Sequence, residues 1–373
     1  MKKTTLGKLL KIKQGYAFKS ENYIDSGLYR LCTLGNFSMD NNFRFNDEKA
    51  NYYPDEFPHE FILKAGDLIL PMTEQAEGLF GNSAFVPESD AYEFVLNQRV
   101  GKVIVDSEIV NIHYLHFLLS TNGVRKQLET SATGTQQRNT SPEKIYDVQV
   151  WIPDSIKYQE NIGDMLYKIE KLININNRIN DYLEQQALLI FRHMFYNISY
   201  GSNHVGDYIT PRRGKALLSK DAIPGCVPVI AGGLVPATYH NVSNTVAPVL
   251  TISGSGANAG YINIWYDSVW SSDSSYIDSD MTENVYFWYA FLKSRQQDIF
   301  DIQTGSAQPH IYPKHIAELS ISDVDDAKVK SYTSQVAPLF AKIGANIREN
   351  NELKQLRDWL LPMLMNGQAT IEG

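Results

Sequence analysis

Five loop-like stretches concentrate the residues able to hold a flat polar edge: MTEQ at 72–75, LNQR at 96–99, TGTQQRNT at 133–140, SSDSSY at 271–276 and TGSAQPH at 304–310. A Gln or Asn side chain sets a donor beside an acceptor and matches adenine; a guanidinium matches guanine, and Ser or Thr adapts to either. The same residue types also build turns, so composition alone leaves ordinary surface loops as the alternative.

Catalytic constellations are missing by motif. GxxxxGK[ST] does not occur, nor does a Pro-Pro pair, which removes the phosphate loop and the Asn- or Asp-Pro-Pro-aromatic loop of an aminomethyltransferase. GSGANAG at 254–260 lacks dinucleotide-loop spacing and reads as a turn or a close backbone approach. His113 and His116 lie three apart in a helical pattern without a Cys or carboxylate set, so a structural role is expected for both. PDEFPHEFILK at 54–64 has carboxylates but not the spacing of a nuclease site. Cys32 and Cys226 match no metal spacing and make no disulfide framework, which fits a reducing compartment.

The elements that position these loops are spelled twice. Thr133, Gly134, Gln137, Pro142 and Ile145 recur as Thr304, Gly305, Gln308, Pro313 and Ile316, displaced by 171 positions. Around that anchor, GKLLKIKQG (7–15) parallels GDYITPRRG (206–214), and the apolar strand GDLILPMT (66–73) parallels APVLTISG (247–254). IVNIHYLHFLLSTNGVRKQLE (109–129) and NVYFWYAFLKSRQQDIFD (284–301) each read as one amphipathic helix with a polar exit. The TG phrase follows as a loop leading to a strand, VQVWIP (148–153) or LSISDV (319–324). YGSNHVGDY (200–208) is polar and small enough to be the joint between halves.

After each strand the period lengthens to about 3.5 residues. Ile162, Leu166, Ile169, Ile173, Asn176, Asn180, Leu183, Ala187, Ile190 and Met194 form one stripe; Val336, Phe340, Ile343, Ile347, Asn350, Leu353, Leu360 and Met363 form another. A helix of roughly 35 residues is about 50 Å long and cannot hide such a stripe alone, so the two are expected to pack on each other, antiparallel. Asn176, Asn177 and Asn180 either sit in that seam, where asparagine fixes register, or face water. Pro338 lies inside the second stripe, where a proline delays the start of a helix or kinks it.

Bulk properties agree with two domains. The chain has 373 residues, too many for one ordinary core, with 43% hydrophobic and 20% charged residues. No run of about 18 apolar residues suggests a membrane span, and the N-terminus lacks the apolar region of a secretory signal. A net charge of −8 argues mildly against nucleic acid, yet Lys2, Lys3, Lys8, Lys11 and Lys13 cluster, as do Arg212, Arg213 and Lys215. Between Lys220 and Lys293 there is no cation.

Laid out this way, the whole chain resembles the specificity subunit of Type I restriction–modification systems. The resemblance rests on the glycine-bracketed openings GKLLKIKQG and GDYITPRRG, the strand GDLIL, the TG[ST]xQ phrase before a strand and the terminal LRDWLLPMLMNGQ, all in duplicated order. It implies an α+β architecture: two mixed target-recognition globules related by an internal repeat, separated by a pair of long antiparallel coiled-coil-like helices. The expected bounds are 1–154 for the first globule, 155–199 for its helix, 200–325 for the second globule and 326–373 for the second helix with its tail. The function implied is non-catalytic recognition of a split, asymmetric duplex target, one half-site per globule, with the helices setting the gap. The alternative is a scaffold of the same architecture that recruits proteins without specific DNA binding.

On that resemblance the chain itself binds no cofactor; S-adenosylmethionine and ATP belong to partner subunits. Its partners are double-stranded DNA, two modification (methyltransferase) subunits and restriction subunits, with no membrane, in the cytoplasm. Expected DNA contacts are Lys8, Lys11, Lys13, Gln14, Tyr16, Lys19, Thr73, Gln75, Gln98, Arg99, Gln136, Gln137 and Arg138 in the first half. In the second half they are Arg212, Arg213, Lys215, Ser253, Ser255, Asn258, Ser274, Gln308 and His310. The lysines and PRRGK are assigned to phosphates, the Gln, Arg and His residues of the loops to bases or nearby backbone. The helix seam is expected at Ile169, Ile173, Asn180, Leu183, Ile343, Ile347, Asn350 and Leu353.

Overall fold

A computed structural model describes residues 1–45, 47–74, 78–134, 137–305 and 308–369, and in it both copies of the repeated phrase take one backbone design. Gly134 and Gly305 adopt positive φ angles of 116° and 96°, which side chains disfavour. A Cβ at Gly305 would also lie 2.5 Å from the carbonyl oxygen of Gln308, and one at Gly134 would strike that of Gln137. The turns close alike: Asn139 N–H donates to Thr133 O and His310 N–H to Thr304 O, both at 2.8 Å. Pro142 and Pro313 then open short helices, where the missing N–H leaves no bond unmade. The loop thus leads into a helix before the strand, where the sequence suggested the strand directly.

The first unit comprises residues 1–172 and 353–373. Its strands are β1 (Lys2–Thr5), β2 (Leu10–Gln14), β3 (Tyr29–Cys32), β4 (Tyr52–Tyr53), β5 (Leu68–Pro71), β6 (Thr73–Glu74), β7 (Ala84–Phe85), β8 (Glu93–Leu96), β9 (Val100–Val105), β10 (Arg138–Asn139) and β11 (Gln149–Ile152). An antiparallel sheet has the order β2-β9-β5-β7; a second, β4-β3-β8, pairs β3 with β8 in parallel. The strands β1 with β11 and β6 with β10 form antiparallel pairs. Its helices are α1 (Ile112–Leu119), α2 (Asn122–Ser131), α3 (Pro142–Tyr146) and the start of α4 (Ile156–Met194).

The second unit, residues 173–352, repeats this plan. Its strands are β12 (Asn203–His204), β13 (Arg212–Arg213), β14 (Val227–Ile230), β15 (Thr238–His240), β16 (Val249–Ser253), β17 (Ile262–Trp265), β18 (Trp270–Ser271), β19 (Ser274–Asp278) and β20 (Ser320–Ile321). The orders are β13-β19-β16-β17 and β15-β14-β18, the last with β14 and β18 parallel. Helices α5 (Val285–Ser294), α6 (Gln296–Asp301), α7 (Pro313–Ala317) and α8 (Asp326–Met365) complete the chain. Gly201 packs against Ile321 and Ser322, and β12 pairs with β20, so the polar stretch at 200–208 is built into this unit.

The two single helices expected at 109–129 and 284–301 are both broken. In the first, α1 ends at Leu119, and the Arg125 Nε–H donates to the freed Ser120 carbonyl at 2.9 Å. In the second, the break is Arg295, whose Nη1 donates to Ser199 O (2.9 Å) and Ser320 O (3.0 Å). An arginine thus satisfies backbone carbonyls at each corner, a role no periodicity reveals. The helical histidines are structural: His113 Nδ1 meets Asp164 at 2.6 Å, and buried His116 bridges Ser83 (2.7 Å) and Glu170 (3.0 Å).

Each unit closes its core with one end of α4 and one end of α8. In the first, Ile162 and Leu166 of α4 and Leu364 and Met365 of α8 are buried with Leu6, Leu68 and Tyr114. In the second, Ala187 and Phe191 of α4 and Val329, Tyr332, Val336 and Phe340 of α8 are buried with Leu250, Ile277 and Phe287. A fully buried residue of this kind contributes about 1.5–3 kcal/mol, so these helix ends belong to the globules energetically. Helix α8 starts at Asp326 and runs through Pro338. Among the described residues no helix is long and apolar enough to cross a membrane.

The helices run antiparallel where they meet inside the second unit. Asn346 Nδ2 donates to Asn180 Oδ1 (2.8 Å), and Asn176 Nδ2 donates to Asn350 Oδ1 (3.0 Å). Asn350 Nδ2 in turn donates to Asn177 Oδ1 at 2.9 Å. Ile173, Ile343 and Asn350 are buried, while Asn180 and Leu183 are half-buried. Ile347 departs from the expected stripe: it is 37% exposed, and Asn346 is buried in its place. The spacing from Ile343 to Asn350 is three then four residues, which turns position 346 inward to meet Asn180. Within the first unit, Ile169 is buried and Leu353 half-buried, and Arg357 Nη1 lies 3.5 Å from buried Glu170.

Replacing Asn350 by Ala removes its side-chain bonds to two asparagines inside an apolar seam. Chemical unfolding of the full chain should show a loss of about 1–3 kcal/mol. A loss below about 0.3 kcal/mol would mean that water satisfies Asn176 and Asn177 equally well.

Candidate nucleic-acid interface

Backbone hydrogen bonds put the polar loops of the two units in register. Gly15 N–H donates to Val100 O (3.1 Å) as Gly214 N–H does to Ser274 O (2.8 Å). Met72 N–H donates to Arg99 O (2.9 Å) as Gly254 N–H does to Asp273 O (3.0 Å). Thr140 N–H donates to Met72 O and Ile311 N–H to Gly254 O, both at 3.0 Å. Gln14, Thr73, Arg99 and Asn139 therefore occupy the positions held in the second unit by Arg213, Ser255, Asp273 and His310. The glycines allow this: a Cβ at Gly214 would lie 2.5 Å from Ser271 O, and Gly15 packs as tightly on Asn97.

In the first unit, Thr73 Oγ1 donates to Asn139 Oδ1 at 2.9 Å. Next to it Arg138 pairs with Glu74, whose other oxygen accepts from the N–H groups of Leu79 and Phe80 at 3.0 Å each. Glu74 is only 2% exposed, so Arg138 neutralises a buried carboxylate. Gln137 is half-buried in the adjoining turn. Tyr16 is half-buried against Phe18 and Phe61, and its carbonyl accepts from Gln98 N–H at 2.9 Å. Lys13 Nζ reaches Glu60 at 2.9 Å and lies 4.6 Å from the Phe61 ring centre. Lys8, Lys11, Gln14, Lys19, Gln98 and Arg99 are exposed. The guanidinium of Arg99 has no ion-pair partner among the described residues.

In the second unit, Asp273 is the centre. It pairs with Arg213 through one oxygen and accepts the Ser255 hydroxyl through the other. The Arg213 guanidinium lies 5.8 Å from the ring centre of Tyr312, which stacks on His310 at 5.9 Å. His310 and Ser255 are bridged through their backbones. His315, behind Tyr312, has its pKa lowered by burial and by Lys314, and its Nδ1 accepts from Tyr312 N–H at 3.3 Å. Arg212 pairs with Asp280 at 3.4 Å, which holds its pKa up. Lys215 and Gln308 are exposed, and Asn258 is half-buried.

Three expected contacts lie inside the protein; one is Thr73, 5% exposed, whose hydroxyl is turned to Asn139. Ser253 is 4% exposed, and Ser274 is fully buried, its Oγ donating to Ile230 O at 3.1 Å. Burial in β16 and β19 assigns these two serines to the sheet interior, because the alternation along these strands is overridden by cover on both faces. Gln75 and Gln136 lie outside the described residues. The partners that sequence reasoning missed are Glu74, Asp273, Asp280 and Tyr312. Glu74 and Asp273 sit in MTEQ and SSDSSY, the one acid in each stretch, which was the available signal. Among the described residues no group of His, Cys, Asp or Glu is arranged to hold a metal ion.

Glu74→Ala should destabilise the full chain by about 1.5–3 kcal/mol in urea unfolding, because a charged acceptor of two N–H groups is lost. An unchanged midpoint would show that the Glu74–Arg138 pair is not a structural support.

Comparison with known proteins gives this geometry a context. Residues 1–185 match the family described as "Type I restriction modification DNA specificity domain". The "Type I restriction enzyme MjaVIII specificity subunit" of Methanocaldococcus jannaschii is 22% identical over 183 residues, covering 48% of this chain and 42% of that one. The MjaIX specificity subunit of the same organism is 22% identical over 321 residues, covering 74% of this chain and 73% of its own length. The chain thus spans less than half of the first relative and about three quarters of the second. A crystal structure of a Type-I restriction-modification system S subunit from M. genitalium shares the fold, with a TM-score of 0.60 at 18% identity, covering 98% of this chain and 96% of that chain.

Proposed function

The chain belongs, through residues 1–185, to the Type I restriction modification DNA specificity family, and we propose that it is the non-catalytic DNA-reading subunit of such a complex. It reads a split, asymmetric duplex target, one half-site per globule, with α4 and α8 setting the gap. The observation that carries this is the matched pair of polar clusters on one repeated scaffold. Gln14, Thr73, Arg99 and Asn139 face the same backbone frame as Arg213, Ser255, Asp273 and His310, so one architecture presents two different patterns. Exposed Lys8, Lys11, Lys19 and Lys215 supply phosphate contacts that orient the duplex without reading it. The domain bounds follow: 1–154 and 200–325 for the globules, 155–199 and 326–373 for the helices with the C-terminal tail.

Partners complete the activity. Methylation with S-adenosylmethionine belongs to two modification subunits and ATP-driven restriction to further subunits, all in the cytoplasm. A surface for the modification subunits is supported by the outer face of α4. Ile175, Ile179, Tyr182 and Leu189 recur at heptad-like spacing and are 36–61% exposed. Exposed apolar residues recurring on one face of a helix in this way fit a partner surface.

Two experiments test the reading. Replacing residues 206–325 by the corresponding globule of another family member, then selecting from a randomised duplex library, should change one half-site and keep the other half-site and the gap. Absence of any gapped motif with the unaltered chain, or loss of both half-sites after the exchange, overturns it. Ile175→Asp with Ile179→Asp should abolish co-purification with the modification subunit while the selected motif persists; unchanged co-purification excludes this face.

A further inference from the structure

The cation assigned to phosphate in the second globule is held in a way that suits a different ligand. Arg213 is paired to Asp273, and both side chains are little more than a third exposed, 37% and 39%. A carboxylate on the guanidinium cancels the charge that would attract a phosphate and repels the phosphate itself. A neutral, oriented pair suits an uncharged polar edge. Asp273 engages Nη2 of Arg213, and its second oxygen is occupied by the Ser255 hydroxyl, so the carboxylate is itself anchored. Tyr312 lies across the guanidinium, and Gly254 keeps the space open: a Cβ there would stand 2.5 Å from Nη1 of Arg213. Asp273 takes a single contact on Nη2, so the guanidinium is held in place while an edge made of Nε–H and the second N–H of Nη2 remains a fixed fork of donors, the arrangement that matches guanine O6 and N7.

We propose, on the reading that the chain binds a split duplex target, that positions 213 and 273 and their counterparts 14 and 99 are the specificity-determining pairs of the two globules. In the second, Arg213 reads guanine and Asp273 is its positioning residue. In the first the chemistry is inverted: Gln14 stands where Arg213 does, with the paired donor and acceptor that match adenine, and Arg99 stands where Asp273 does. The same backbone frame thus carries its arginine on opposite members of the pair, so the two half-sites differ in which strand position bears the guanine contact.

The test uses the full chain against a randomised duplex library, read as the base preference at each position and as the dependence of affinity on salt. Asp273→Asn should reduce discrimination at a position of the second half-site by about 5- to 150-fold, leaving the first half-site and the gap unchanged. Arg213→Lys, which keeps the charge but not the fork, should do the same without changing the salt slope. Arg99→Lys should relax the first half-site alone. If Arg213 contacts phosphate instead, Asp273→Asn will strengthen binding to all sequences and steepen the salt slope by about one; that result overturns the assignment. So does a motif that none of the three substitutions alters. An unaltered chain that selects no gapped motif overturns the proposed function and this inference together, whereas loss confined to the variants' discrimination supports both.

Discussion

Neither long helix can bury its own apolar stripe, and the architecture follows from how that surface is covered. Each helix gives one end to one globule core and the other end to the second. Ile162 and Leu166 of α4 are interior residues of the first unit, and Phe191 of the same helix is an interior residue of the second. α8 does the same in reverse order. The globules therefore depend on segments that are far away in sequence. Where α4 meets α8 in the second unit, the asparagines at 176, 177, 180, 346 and 350 answer one another. A slip of one helical turn would set several of them against isoleucine, so the polar seam specifies the pairing at some cost in stability.

The candidate interface uses the opposite strategy. Its frame is backbone: glycines at 15, 214 and 254 permit close approach, and the hydrogen bonds around them are duplicated almost bond for bond. Side chains on that frame are then free to differ. The net charge of the chain is −8. Lys13, Arg138, Arg212 and Arg213 are paired with acids of the protein, so part of the negative charge offsets cations on that frame.

Much of the fold was legible because it is repeated. The phrase at 133 and 304, the glycine brackets and the two apolar strands all mark elements that coincide in the structure, and the stripe periodicity located both long helices. What escaped has physical causes. Helices α1 and α2 read as one pattern, and what separates them is local capping: the hydroxyls of Ser120 and Thr121 donate to Phe117 O and Leu118 O, and Arg125 donates to Ser120 O. Ile347 and Asn346 are adjacent, and a heptad stripe read from sequence cannot decide which turns inward until Asn180 is opposite. The site was less legible than the fold. Ser253 and Ser274 look like loop chemistry but fill a covered sheet, and Asp273 is recognisable only once Arg213 and Ser255 converge on it.

The final turn of α8 carries a consequence for how the molecule is made. Leu364 and Met365 are 1% and 4% exposed, packed in the core that also holds Leu6 and Tyr114, and Tyr158 donates its hydroxyl hydrogen to Ala369 O at 2.8 Å. During synthesis residues 1–172 emerge well before 353–369 and lack these plugs until the end of α8 has left the ribosome. The second globule, whose α8 residues end earlier in the chain, can consolidate sooner. Of the two units, the one begun earlier is thus completed later, and it remains open until the end of α8 reaches it.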